Sequence, residues 1–169
     1  MTFLGVATLA LGVSTYATAD ILQFDVVLDA TQISTGSLGT GTATALFNNI
    51  TGDVSIAGSF ADLTGTSSMA HLHGFTPSAG TGGGAGVLLS LAIDAGVAAG
   101  NFSGAGIISM ASDPGFAKML GGQSYINIHS STSPGGEIRG QLVNPVVVPE
   151  PGSIALVSLA GLALLRRRR

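Results

Sequence analysis

The chain reads as an all-β protein: an Ig-like, Greek-key β-sandwich of short antiparallel strands with one short helix. Three observations predict this. Short runs alternate apolar and polar residues with the period of a half-buried strand, as where Tyr125, Asn127 and His129 alternate with Ile126 and Ile128. Clusters of Gly, Ser, Thr and Asn separate these runs. Finally, 26 glycines stand against 7 Phe and no Trp in 169 residues. Each glycine inside a helix costs about 1 kcal/mol relative to Ala, so the composition suits strands and turns. The core has to be built from Val, Ile, Leu and Ala.

The length fits one domain plus processing segments. We divide it into a signal segment at 1–19, a domain at 20–145 and a C-terminal segment at 146–169. There is no cysteine, which excludes a disulfide framework and any thiolate metal site. Four of the six cations are Arg166–Arg169. Between Asp20 and Pro149, seven Asp and Glu137 face only Lys118 and Arg139. A surface this acidic argues against nucleic acid as a partner, because such binding needs clustered Lys and Arg.

In chain order, Thr2–Val13 is an apolar run and Ala17-Thr18-Ala19 is a small-residue cleavage box. Together they predict an N-terminal signal helix removed ahead of Asp20, although no Lys or Arg precedes the run. Asp20–Ala30 reads as the first strand and Thr31–Gly41 as a loop. Thr42–Phe47 and Asp53–Phe60 are the next strands, joined by a hairpin turn at Asn48–Gly52. Ser68–Phe75 carries His71 and His73. Pro77–Gly86 is a glycine-rich loop without the Lys and Ser or Thr of a phosphate-binding loop. Val87–Ile93 and Asn101–Ser109 are strands. Asp113–Leu120 is the short helix, with Asp113 as cap, Pro114 at the first position and Gly121 at the end.

Ser124–Leu142 then reads as two strands around the turn Ser133-Pro134-Gly135-Gly136. Ile126, Ile128, Ile138 and Leu142 point to a core. The polar members Asn127, His129, Glu137 and Arg139 share the other face if the strands pair. We expect Asn127, Glu137 and Arg139 to be structural. Arg139 is expected to be buried and to donate to backbone carbonyls or to Glu137, pinning the turn around Pro134–Gly136. This stretch, with Ala70-His71-Leu72-His73-Gly74, resembles the signature of the chordin-type (CHRD) domain family, in which a strand ending N-x-H leads through P-G-G into E-I-R-G-Q. The resemblance spans roughly residues 20 to 144. It implies an extracellular β-sandwich.

At the other end, Val148-Pro149-Glu150-Pro151 precedes the apolar run Ile154–Leu165 and the Arg166–Arg169 cluster. The prolines keep the box extended. The apolar run predicts a hydrophobic helix shorter than the roughly 20 residues that span a bilayer. Four arginines hold its end on the cytoplasmic side. These parts resemble the PEP-CTERM sorting signal. The resemblance implies transient anchoring in the inner membrane of a Gram-negative bacterium that makes extracellular polysaccharide. Cleavage near Val148, Pro149, Glu150 and Pro151 by an exosortase-type enzyme would follow, then delivery to the cell surface or matrix.

All three histidines lie in the signature strands. His71 and His73 share one face of a strand, with Leu72 on the other. With His129 beside them, three neutral imidazoles suit Cu or Zn and leave a position for water. Alternatively the three are structural and hydrogen-bond carbonyls or Glu137. The H-x-H strand and later histidine resemble the copper site of Cu/Zn superoxide dismutase, without its bridging histidine, further zinc ligands or disulfide. No catalytic set stands out: acids are scattered and no G-x-S-x-G elbow occurs. The expectation is therefore a non-enzymatic, exported binding or structural module with no required cofactor, meeting extracellular polysaccharide or surface protein. The alternative is a His-ligated Cu/Zn metalloprotein with a dismutase-like site.

Overall fold

The computed structural model describes residues 21–79, 83–108 and 114–148. The expected signal segment, and everything beyond Val148, lie outside the described residues. In chain order the elements are β1 (Ile21–Leu28), β2 (Thr40–Asn48), β3 (Asp53–Ala61), β4 (Ser67–His73), β5 (Val87–Ile93), β6 (Gly100–Ile107), α1 (Pro114–Leu120), β7 (Tyr125–Ser130), β8 (Ile138–Gln141) and β9 (Val146–Val148). The class is all-β, as the sequence predicts.

The strands form one antiparallel sheet, in the order β8-β7-β4-β5-β6-β3-β2-β1-β9. It curls into two facing halves. One half holds β9, β1, β2, β3 and β6; the other holds β5, β4, β7 and β8. They meet where β5 pairs with β6 through Ala92↔Ser103 and Ile93↔Phe102. Alternation builds the core between them. Leu22, Phe24, Val26 and Leu28 of β1, with Ala45 and Phe47 of β2, face Leu72, Ile126, Ile128 and Ile138. The β2–β3 hairpin is fixed by its first Asn: the Asn48 side-chain oxygen accepts from the Ile50 and Thr51 amides.

The curl closes on itself. Asp29, one residue past β1, bridges to Arg139 of β8, with backbone bonds in both directions at 2.8 and 3.1 Å. The same edge of β1, opposite β2, carries β9 near its start, with Ile21 opposite Val148. Val146–Val148, read from sequence as part of the tail segment, thus joins the sheet. Two glycines allow the close approaches at β8. A Cβ on Gly140 would overlap the Val27 carbonyl oxygen of β1, so only Gly lets the strands meet there. Gly136 has φ +125° and presses against the Asn127 side chain.

Both faces of β7 and β8 are buried. Their inner face meets the core. Their outer face is covered by residues 83–85 and the 131–136 turn, which bond to side chains standing on it. The polar residues of that outer face form the site.

Candidate metal centre

Antiparallel pairing of β4 with β7 sets Met69 opposite His129, His71 opposite Asn127 and His73 opposite Tyr125. Residues two apart share a face, so His71, His73, Tyr125, Asn127 and His129 all project outward while Leu72, Ile126 and Ile128 enter the core. The three imidazoles converge. His71 Nδ1 lies 3.0 Å from His129 Nε2. Ring centroids are 4.9 Å apart for His71–His129, 5.5 Å for His71–His73 and 5.9 Å for His73–His129. One nitrogen from each ring can be chosen so that all three lie within 4.8 Å of one another.

Neighbouring carbonyls fix the tautomers. His73 Nδ1 is 2.8 Å from the Ala85 carbonyl oxygen, and His129 Nδ1 is 2.8 Å from that of Pro134. A carbonyl only accepts, so both Nδ1 atoms carry hydrogen and both Nε2 atoms present lone pairs. The Nε2 of His73 is buried with no hydrogen-bond partner, and the residue is 8% exposed. Such an orphan is costly unless something fills its lone pair. His71 Nδ1 donates to His129 Nε2. A tautomer change in the half-buried His71 frees both nitrogens as ligands. Burial holds the pKa of His71 below the ordinary histidine value, with His129 adding to the effect. Burial lowers His73 too, against the opposing bond to Ala85. Both are neutral at pH 7, the form that binds metal.

Behind the ligands lies a stack. The His73 ring sits on Tyr125 with centroids 4.6 Å apart and planes 4° from parallel. The Arg139 guanidinium carbon lies 3.4 Å from the Tyr125 centroid. His73 stands on β4 and Arg139 on β8, with the Tyr125 strand between them. Arg139, 2% exposed, donates through Nε and Nη2 to Gln141 Oε1 and through Nη1 to the Gly83 carbonyl. The expectation of a buried Arg139 donating to a carbonyl thus meets Gly83 of the 74–86 connection, not the Pro134–Gly136 turn. That turn is held instead by Asn127, which donates to Gly135, and by His129.

Glu137 does not turn toward Arg139. It sits just before β8, after the turned Gly136, and is 0% exposed. Its carboxylate accepts from the hydroxyls of Ser37, Ser130 and Thr132 and from the amides of Thr64 and Gly65. These donors hold it at a pKa of about 2, with burial alone pulling the other way. It ties the 35–39 loop and the β3–β4 connection to the end of β7. Sequence reasoning passed over Tyr125 as a site residue, although alternation already sets it on the His129 face. Gln141 was legible the same way. Ser37, Thr64 and Gly65, remote in the chain, carried no signal.

The geometry defines a class first: an all-β domain that gathers three imidazoles on a covered outer face. The CHRD domain family model matches residues 24–142, and the chain belongs to that family. The PEP-CTERM protein-sorting motif matches residues 147–169. The protein is therefore exported and sorted to the cell surface by way of an exosortase-type processing enzyme, as in Gram-negative bacteria. No curated protein and no solved structure matches the chain. Among the described residues, no helix is long and apolar enough to cross a membrane.

Proposed function

We propose that this exported protein is a non-enzymatic module that binds one Cu or Zn ion through His71 Nδ1, His73 Nε2 and His129 Nε2. One observation carries the reading: His73, whose Nε2 is buried and unpartnered, belongs to a group of three imidazoles of which one nitrogen each lies within 4.8 Å of the others. The Ala85 and Pro134 carbonyls aim the His73 and His129 rings, as outer-shell carbonyls do at histidine metal sites. In this reading the protein is anchored briefly at the inner membrane. After processing it works in the layer of polysaccharide and protein at the cell surface.

The test is elemental analysis of the purified protein after loading with Cu or Zn and desalting. One ion per chain is expected in the wild type. His73→Ala and His129→Ala should each lose it while keeping the wild-type far-UV spectrum. No stoichiometric metal on folded wild type would overturn the reading. Measurable superoxide dismutation by the loaded protein would replace a binding module with an enzyme.

A further inference from the structure

We infer that the ion is copper and that the centre favours its cuprous state. This rests on the metal-binding reading above and narrows it. The ligand set is the first argument. Among the described residues, three histidines form the metal-ligating group, with no carboxylate joining them. Among divalent ions on nitrogen donors of one kind, copper outranks zinc in the ordinary affinity order, which favours copper as the element. Zinc is four-coordinate, so on these three residues it would need a water as its fourth ligand. Cu(I) is content with three.

Charge is the second argument. All three ligands are neutral, and two of them are over nine-tenths buried. The cost of taking an ion out of water grows with the square of its charge. A divalent ion therefore meets about four times the penalty of a monovalent one in the same cage. No anionic ligand within the group offsets the difference.

The stack supplies the third. Tyr125 separates His73 from the fixed positive charge of Arg139, which lies 3.4 Å from the ring centroid on its far side from β4. A permanent cation two layers behind a ligand disfavours each further positive charge at the metal. It acts in the same direction as the neutral ligands. Arg139 is a positioning residue here: it fixes the ring against which His73 lies and biases the ion from behind.

The experiment uses the full exported protein. Cu(I) is titrated anaerobically against bicinchoninate with ascorbate present, and Zn(II) is titrated separately against a chromophoric chelator. The potential of the copper-loaded protein is then measured with mediators. The expected result is one Cu(I) per chain, displacement of bound Zn(II) by Cu(I), and a potential more positive than that of copper in the same buffer. Arg139→Gln should lower the potential and Arg139→Lys should largely keep it. Tyr125→Ala should weaken Cu(I) binding by about 10–100-fold, as loss of outer-shell support does. Stoichiometric Zn(II) that Cu(I) fails to displace, or a potential below that of free copper, overturns the cuprous assignment and leaves the metal module standing. Failure of every ion to bind overturns both. Should the Arg139 variants not fold, the wild-type competition and potential still decide.

Discussion

The His73 imidazole lies flat on the Tyr125 ring, 4.6 Å between centroids and 4° from parallel, and both side chains hold the same residue. His73 Nδ1 donates to the Ala85 carbonyl, and the Tyr125 hydroxyl accepts from the Ala85 amide at 3.0 Å. Tyr125→Phe keeps the stack and removes one part-buried hydrogen bond, at about 0.5–1.5 kcal/mol. Tyr125→Ala also opens a cavity and should cost about 3–5 kcal/mol. Urea unfolding of the two variants separates the terms. Metal titration should show Phe near wild type and Ala well below it.

Glu137 makes stability depend on acid. Its folded pKa of about 2 lies below the ordinary 4.5, so the folded state prefers the carboxylate. The resulting stabilisation is complete above pH 4.5 and fades as pH falls toward 2. It is worth on the order of 3 kcal/mol. Thermal melts from pH 7 to pH 2 should be flat at first and then fall steeply. Glu137→Gln should start lower and lose much of that slope. A variant that kept the wild-type acid dependence would show that other carboxylates set it.

Gly140→Ala should part β8 from β1. The added methyl meets the Val27 carbonyl, which is backbone and has no rotamer to yield. We expect a loss of about 1–3 kcal/mol. Faster hydrogen exchange at the Asp29 and Arg139 amides should accompany it, since these close the sheet. Unchanged exchange at both amides would mean that the closure tolerates a side chain.

Arg139→Lys should be clearly destabilising and Arg139→Ala more so. The guanidinium satisfies Gln141 Oε1 twice and the Gly83 carbonyl once, a fork that an ammonium cannot reproduce. Leaving the buried Gln141 Oε1 unpaired costs about 1–3 kcal/mol, and the exposed Gly83 carbonyl adds less. If neither variant melts earlier than wild type, Arg139 is not structural.

Periodicity carried much of this into view. The alternation of Tyr125–Ser130 and the H-x-H spacing set the imidazoles on one face, and local turn residues set most strand limits within a residue or two. Strand partners are set by sheet order, which local pattern does not encode. Hence the β1–β8 closure, the Glu137 anchor on Thr64 and Gly65, and the seat of Arg139 on Gly83 were not legible. The expectation that Glu137 and Arg139 would answer each other followed from their opposite charge and spacing. It overlooked that Glu137 precedes the strand proper, where Gly136 redirects the chain.

The pairing of Ile21 with Val148 gives the domain a single point of suspension. Both ends of the folded unit leave from the start of β1, while Asp29 meets Arg139 eight residues further along. At about 3.4 Å per residue that is a stand-off of roughly 27 Å. Through the register His71–Asn127–Arg139–Asp29, the histidine strands stand level with the Asp29 end of β1, away from the Ile21–Val148 pair. A cut at the Val148–Pro151 box would leave every residue of the centre within the folded unit.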